Sequence, residues 1–394
     1  MSNLWSANTP KRFWRCEPDP PEEVWRQAIA AALPALDIPG APSEPAQLAA
    51  WVLGEGQFGA DHWRLSPAKR AYYRLKPVLP RALIRQMRRA YDASVIKEFA
   101  LRWPLEDRYA KFLWAVMAQA LRILDCDALQ FAQFWPGGKH VALVLTHDIE
   151  TARGQEFVRA VADLEESLGF RSSFNFVPER YAPDTRLMDD LRARGFEIGV
   201  HGLRHDGLLF SSWKTFEQRA ARINDALARF GAVGFRAPLT LRHPVWMQQL
   251  AIEYDLSFFD TDPFEPIGGG TMSLWPFMLG HFVELPYTLS QDYTVTALLR
   301  ETTPRHWLEK VNAIAPYYGL ALVNSHPDYL CDETGYAVYE GFLRAMQARD
   351  DCWHALARDA AAWWRARAGH DGAHDSRPIT YGCVRRAGDT VAIE

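Results

Sequence analysis

From residue 141 onward, short apolar stretches alternate with amphipathic helical stretches along the sequence. The apolar stretches have the length and composition of buried strands and lie at 141–146, 172–177, 197–200, 233–236, 256–260, 282–285 and 319–324. The helical stretches between them lie at 155–168, 184–194, 213–230, 243–253 and 304–315. This alternation predicts an α/β fold with parallel strands, either a β/α barrel or an open sheet.

The sequence on either side of this block has a different pattern. We predict a mostly helical and irregular N-terminal region at 1–138, a β/α barrel with a C-terminal helix at 139–370, and a tail at 371–394. The helical patterns outside the alternating block lie at 21–36, 80–103, 106–124 and 338–368. A turn-forming cluster at 134–140 marks the first boundary, and the tail is expected to be a loop followed by a short extended end.

Charge and composition exclude several classes of protein. The formal net charge is −4 without a strongly basic block, so a nucleic-acid partner is not expected. Apolar runs fall short of the roughly 18 residues of a membrane span, and the first residues lack the apolar core of a secretory signal. The five cysteines are scattered and form no CxxC pair, which argues against a disulfide framework and a zinc–cysteine site. We therefore expect a cytoplasmic protein of undetermined oligomeric state.

Six of the seven predicted strands end in a titratable or cationic side chain. Because β/α barrels build their active sites at the C-terminal ends of the strands, we expect these side chains to meet at one rim. They are His147, Asp148, Glu150, His201, His205, Arg236, Asp260, Asp262, Glu284, His326 and Asp328.

His201 and His205 follow the third strand and are four residues apart, so both imidazoles can lie on one side of a helical turn or tight loop. Two histidines with one carboxylate can bind a metal ion and leave positions open for water and substrate. Such a metal lowers the pKa of its water and polarises the carbonyl under attack. This spacing therefore indicates a hydrolytic metal site.

Four motifs, in this order, resemble the polysaccharide deacetylase family with the NodB homology domain, also called carbohydrate esterase family 4. They are "THD" at 146–148, "HGLRH" at 201–205, "RAP" at 236–238 and "LVNSH" at 322–326. The resemblance covers about 139–330. It implies a distorted (β/α)7-type barrel, one divalent metal ion and hydrolysis of an N-acetyl or O-acetyl group. Zinc is the expected metal, with nickel, cobalt, manganese and iron as alternatives.

The resemblance also assigns roles to individual residues. It implies that His201 and His205 are metal ligands and that Asp148 is the general base. Arg236 would hold that aspartate ionised and in place. His326 would be the general acid that protonates the leaving amine or alkoxide.

The first motif departs from the family pattern, because Ile149 stands where the family has its third metal ligand, a second aspartate. Asp148 could bind the metal with Glu150 as base, or Glu150 could reach the metal with its longer side chain. In a third arrangement Asp148 binds the metal and Asp260 or Asp262 is the base. We expect Asp148 to be ligand or base, with Glu150 in the complementary role.

Two later segments, 260–270 and 284–293, are predicted to lie on the substrate side of the site. The first combines acidic residues, prolines and three glycines, which is typical of an irregular loop. The predicted substrate contacts are Asp260, Asp262, Glu284 and Tyr287, with Gln291 and Asp292 near the rim. His147 is either a further substrate contact or a packed histidine.

These features predict a metal-dependent deacetylase that acts on an acetylated sugar of a surface glycan or its precursor. One alternative is hydrolysis of a small non-sugar amide on the same barrel, for which a closed pocket rather than an open groove would be expected. The other, which Ile149 raises, is a catalytically silent barrel that binds a glycan or a partner protein. That alternative predicts a site without an open metal position.

Overall fold

The computed structural model describes residues 4–67, 69–71, 95–369 and 378–394. Its strands are β1 (Cys16–Glu17), β2 (Ala128–Ala132), β3 (Val141–Ile149), β4 (Ser173–Phe176), β5 (Glu197–His201), β6 (Gly234–Arg236), β7 (Tyr254–Asp255), β8 (Phe277–Leu279), β9 (Phe282–Glu284), β10 (Leu320–Ser325), β11 (Cys352–Ala355), β12 (Tyr381–Ala387) and β13 (Thr390–Ile393). Its helices include α1 (Pro10–Trp14), α2 (Glu22–Leu36), α3 (Pro45–Val52), α4 (Arg108–Ile123), α5 (Ala152–Ser167), α6 (Thr185–Ala193), α7 (Trp213–Phe230), α8 (Arg305–Ile314), α9 (Pro327–Leu330), α10 (Glu333–Gln347) and α11 (Ala357–Arg367).

The larger sheet is a curled, mostly parallel sheet with the strand order β10-β3-β4-β5-β6-β7-β9-β8, and β11 pairs with the start of β3. All neighbours run parallel except β8 and β9. Two single-residue parallel bridges, Phe259 with Tyr287 and Leu289 with Val323, connect the β7 side to the β10 side. The predicted distorted α/β barrel is therefore confirmed.

Strand β3 is buried along its whole length between β10 and β4, which is why its first five residues are apolar. The helices that follow β3, β4 and β5 each begin at a capping side chain. Thr151, Asp184 and Ser212 accept hydrogen bonds from backbone N–H groups in the first turns of α5, α6 and α7. These caps fix where each helix begins.

Three of the predicted elements are wrong. The stretch 256–260 is not a strand, because Ser257 donates backbone and hydroxyl hydrogen bonds of 3.0 and 2.8 Å to Asp255 and turns the chain after β7. The predicted helix 243–253 contains only a 3₁₀ turn at Trp246–Gln249, with the N–H of Ala251 bonded to the Asn224 side chain instead. The predicted helix 338–368 is interrupted by β11, which pairs with β3.

The N-terminal region is not purely helical, because it shares a sheet with the tail. Strands β1, β2, β12 and β13 form an antiparallel sheet in that order, and β2 lies between β1 and β12. Most of the helix predicted at 80–103 lies outside the described residues. Among the helices in the described ranges, none has the length and hydropathy to cross a membrane.

A buried ion pair joins the N-terminal region to the barrel. Glu55 accepts hydrogen bonds of 2.8 and 2.6 Å from the guanidinium of Arg242 and one of 2.7 Å from the backbone N–H of Gly270. The guanidinium carbon of Arg242 also lies 4.4 Å from the ring centroid of Phe259. Glu55 and Arg242 are both fully buried, so each charge depends on the other for compensation.

Glu55→Gln is expected to destabilise the protein by about 3 kcal/mol or more at neutral pH, because it leaves Arg242 as an uncompensated buried charge. Burial raises the pKa of Glu55, but Arg242 and the neighbouring His62 outweigh it and lower the pKa from 4.5 to about 2. A lowered folded-state pKa contributes stability above the unfolded-state value of about 4.5, and this stability is lost as the pH falls through about 2.

Denaturant unfolding of wild type and Glu55→Gln at pH 7 and pH 3.5 should therefore show a smaller difference at the lower pH. The exposed Glu156→Gln variant is the matched control and should unfold like the wild type at both values. An equal loss of stability at both pH values would contradict the assigned role of the Glu55 charge.

Candidate active site

A cleft opens at the C-terminal ends of the barrel strands. The side chains at its base come from β3, β5 and β10 and from the residues directly after them. They are Asp148, Glu150, His201, His205, Asn324 and His326. The side chains therefore meet at one rim, and they come from the "THD", "HGLRH" and "LVNSH" motifs and from Glu150.

Among the described residues, Glu150, His201 and His205 form a group whose potential ligand atoms all lie within 4.8 Å of one another. The Nδ1 atom of His201 lies 3.1 Å from the carbonyl oxygen of Arg236. Because a carbonyl can only accept, Nδ1 carries the proton and Nε2 has a free lone pair. Nε2 is buried without a hydrogen-bond partner, as expected for a metal ligand in a structure that carries no ions.

His205 Nε2 is also buried, and it lies 2.9 Å from Glu150 Oε1. The two histidines are joined by a tight loop and not by a helix, because Gly202 and His205 have left-handed φ values of 61° and 53°. A Cβ atom on Gly202 would come within 2.4 Å of Pro238, which follows Arg236 in the "RAP" motif. The glycine therefore allows the two motifs to pack against each other.

Two of these side chains have the protonation states that a metal ion requires. Burial lowers the pKa of His201 to about 4, so the imidazole is neutral at pH 7. For Glu150, burial raises the pKa, but the attraction of neighbouring histidines, His205 above all, outweighs this and brings it to about 2. The group therefore offers a neutral imidazole at His201 and a carboxylate at Glu150.

Asp148 is held by other partners. Its Oδ1 atom accepts hydrogen bonds from Asn175 at 2.9 Å and from Arg236 at 3.2 Å. Its Oδ2 atom lies 3.7 Å from Nδ1 of His201, the nitrogen that faces away from the converging ligand atoms. Burial raises the pKa of Asp148, but Arg236 first, then nearby histidines and Asn175, outweigh this and hold it well below its usual range.

Arg236 is fully buried and joins several strands at the base of the cleft. It donates hydrogen bonds to the Leu256 carbonyl at 2.8 Å, to Thr146 at 2.9 Å and to Asn324 at 2.7 Å, in addition to Asp148. It is therefore fixed in position before any substrate arrives, which holds Asp148 in a single orientation.

His326 is paired with Asp292, which lies 34 positions earlier in the sequence. One carboxylate oxygen of Asp292 lies 2.8 Å from Nδ1 of His326, and the other accepts the His326 backbone N–H at 2.7 Å. Burial lowers the pKa of His326, but Asp292 outweighs this and raises it to about 10. The Nε2 atom of His326 lies 3.9 Å from Glu150 Oε1. His326 is thus a cationic proton donor beside the candidate metal ligands.

The predicted substrate contact of His147 is wrong. Adjacent strand residues point to opposite faces, so His147 lies on the side of β3 away from Asp148. It is fully buried, 2.7 Å from Glu165 Oε1 and 2.8 Å from Ser325 Oγ. His147 is therefore a packed histidine, the alternative interpretation, and its partners are side chains rather than backbone groups.

The other four predicted substrate contacts do not line the cleft either. Asp260 forms a buried ion pair with Lys310 at 2.7 Å. Glu284 is fully buried opposite Asp255 in the β7–β9 register, and burial followed by Asp255 raises its pKa well above the usual range. Tyr287 and Asp262 are hydrogen-bonded to each other in a layer behind the cleft wall.

The cleft wall instead contains Thr240, Glu265, Gln291, Tyr293 and Tyr329. Gln291 was expected near the rim, whereas Thr240, Glu265 and the Asp292 pairing to His326 were missed. Thr240 and Glu265 occur in irregular loops, where the sequence has no period from which to infer the direction of a side chain. Asp328 is structural, since it accepts the Glu150 backbone N–H at 3.0 Å and the hydroxyl of Thr151.

No protein-family model and no curated protein sequence matches the chain. Solved structures do match. A "putative polysaccharide deacetylase" from Mycobacterium smegmatis superposes with a TM-score of 0.50 and 19% identity, over 62% of this chain and 97% of that one. A "probable polysaccharide deacetylase" from Pseudomonas aeruginosa PAO1 gives a TM-score of 0.49 and 16% identity over 60% and 94%. The Puue allantoinase gives 0.48 and 15% over 60% and 93%.

Proposed function

We infer a function from the fold, which is the distorted α/β barrel of polysaccharide deacetylase-like structures, as the four motifs led us to expect. We propose that the chain is a metal-dependent hydrolase that removes an acetyl group from an acetylated sugar of a surface glycan or its precursor. The observation that carries the proposal is the convergence of Glu150, His201 and His205 beside an ionised Asp148 and a cationic His326.

The side chains fit a divalent cation. The unpartnered Nε2 atom of His201, the Nε2 atom of His205 and the carboxylate of Glu150 are a donor set suited to zinc, and they leave room for water and substrate. A cation held there would activate water and polarise the acyl oxygen. Strand alternation supports Glu150 as the third ligand, because Asp148 and Glu150, directly after β3, both line the cleft, whereas the buried Ile149 between them points to the other side.

Asp148 is proposed as the general base. Arg236 and Asn175 occupy its Oδ1 atom, so Oδ2 is the oxygen left to accept a proton from the attacking water. The same two donors orient the carboxylate and keep it ionised at neutral pH.

His326 is proposed as the general acid. Asp292 bonds to Nδ1, so Nε2 is the nitrogen that faces the cleft and can deliver a proton to the leaving nitrogen or oxygen. The raised pKa of His326 keeps it protonated at neutral pH. One proton thus moves from water to Asp148 and another from His326 to the leaving group, and the products are acetate and the free amine or alcohol.

Metal binding tests the proposal directly. The purified wild type is expected to bind one divalent cation per chain. His201→Ala should weaken this binding by about a hundredfold or more, since even outer-shell partners of metal ligands contribute ten- to a hundredfold. Elemental analysis and zinc titration measure both quantities.

His140→Ala is the matched control, because His140 is an exposed histidine outside the cleft. Thermal unfolding shows whether each variant remains folded. A wild type that binds no divalent cation, with hydrolysis unaffected by His201→Ala, would rule out the proposed function. A wild type that neither binds a divalent cation nor releases acetate would favour the catalytically silent barrel.

A further inference from the structure

The cleft wall is centred on a carboxylate, Glu265, that the proposed chemistry does not use. Glu265 is 9% exposed and lines the cleft. Its Oε2 atom accepts a hydrogen bond of 2.6 Å from the Thr240 hydroxyl, and Oε1 accepts from the Tyr287 hydroxyl at 3.0 Å and from the Gln291 amide. A carboxylate offers about four acceptor positions, so one remains on Oε2.

Glu265 shares the Tyr287 hydroxyl with a second carboxyl group, Asp262. The Tyr287 hydroxyl lies 3.0 Å from both Glu265 and Asp262 but has only one hydrogen to donate. Burial first, and then the nearby Glu265, raise the pKa of Asp262 to about 8. A protonated Asp262 can donate to the Tyr287 oxygen, which directs the Tyr287 hydrogen to Glu265.

Glu265 has uncharged donors and no cationic partner within the described part of the chain. The nearby cations are used elsewhere, since Arg242 is paired with Glu55 and Lys310 with Asp260. A buried carboxylate without a cation is stabilised by hydrogen bonds alone, so it retains a strong tendency to accept more of them. At the surface of a cleft, those hydrogen bonds can come from a ligand.

Two tyrosines provide an apolar surface on the His326 side of the same cleft. Tyr293 and Tyr329 both line it, with ring centroids 5.3 Å apart, and Tyr329 is 5.2 Å from the His326 ring. Aromatic faces with a few fixed polar groups suit a ligand that has both C–H faces and hydroxyl groups, as a sugar ring does.

The Glu265 wall is held in place from behind by the N-terminal region. The Lys69 ammonium donates a hydrogen bond of 2.8 Å to the Pro266 carbonyl, and the Trp103 ring packs edge-on against Phe264 at 5.2 Å. With the bond from Gly270 to Glu55, these contacts fix the 262–270 loop as a barrier on this side of the cleft. Phe264, Glu265 and Pro266 of this loop line the cleft, so the loop limits the room for further sugar units on this side.

On the premise of the proposed deacetylation, we propose that Glu265 accepts a hydrogen bond from a ring hydroxyl group of a single acetylated sugar residue and thereby determines specificity. The substrate is then a monosaccharide unit, and the internal residues of a long glycan are excluded. Glu265 acts in substrate binding and takes no part in the proton transfers.

The test compares N-acetylglucosamine, N-acetylgalactosamine and N-acetylmannosamine with tetra-N-acetylchitotetraose as substrates of the zinc-loaded protein. At least one monosaccharide should be hydrolysed with a higher kcat/KM than the tetramer. Glu265→Ala should raise its KM by about ten- to a hundredfold, the range for a hydrogen bond to a charged group, with little change in kcat. Glu265→Gln, which keeps the shape of the wall, should give a smaller rise in KM.

Glu217→Gln, an exposed glutamate on α7, is the matched control. A preference for the tetramer, or an unchanged KM in a folded Glu265→Ala variant, overturns the proposal. Calorimetric binding of the same sugars separates it from the proposed function. If the wild type binds a sugar without releasing acetate and Glu265→Ala loses this binding, the sugar subsite is supported and deacetylation is contradicted. If the wild type releases acetate and Glu265→Ala does so equally well, deacetylation is supported and the sugar subsite is contradicted.

Discussion

Replacing Asp148 with asparagine is expected to lower kcat by about 10²- to 10⁴-fold, the range for loss of a general base, while the protein still binds its divalent cation. Asp148 lies outside the converging ligand atoms, and its Oδ1 atom is occupied by Asn175 and Arg236. Glu150→Gln should have the opposite profile. Its cation affinity should fall by about a hundredfold or more, and activity at limiting metal should fall with it.

Zinc titration and steady-state kinetics on both variants decide between the roles that the sequence left open. Asp225→Asn and Glu156→Gln, which change exposed residues, are the matched controls. If Asp148→Asn loses the cation and Glu150→Gln retains it, then Asp148 is the ligand and the proposed roles of the two carboxylates are reversed. If both variants lose the cation, Asp148 contributes to binding it as well.

The sequence predicted the fold well because two strong local patterns coincide in the barrel. The apolar run of β3 sets the position of that strand, and Thr151, Asp184 and Ser212 set the beginnings of α5, α6 and α7. The errors occurred where a side chain competes for backbone hydrogen bonds. Asp255 bonds to the residues after β7, which ends a strand that composition alone would extend.

The sequence located the base of the cleft because its side chains follow directly from strand ends. His201 and His326 reach the cleft for that reason, and Arg236 contacts its lining residues Asp148 and Asn324 from the buried side. The substrate side could not be predicted in the same way. Asp260 has a buried partner, Lys310, 50 positions away, so a polar residue in a loop sequence became part of the core. Glu265 lines the cleft and Asp262 does not, although the two are only three positions apart. The conformation of the loop decides which of them faces the cleft.

His326→Gln is expected to lower kcat for an acetylated amine by about 10²- to 10⁴-fold, because glutamine cannot protonate the leaving nitrogen. The loss should be much smaller with 4-nitrophenyl acetate, whose leaving group departs as a stable anion without a proton. Asp292→Asn should show the same dependence on the leaving group with a smaller loss of kcat, because it removes the carboxylate that orients and charges His326.

The ratio of kcat values on the two substrates is informative because a merely structural defect would lower both equally. His140→Gln is the matched control and should leave the ratio unchanged. Equal losses on amide and ester in a folded His326→Gln variant would show that His326 does not act as the acid. Asp292 also accepts the backbone N–H of His326. If Asp292→Asn has the same ratio of kcat values as the wild type, Asp292 only supports the backbone of His326.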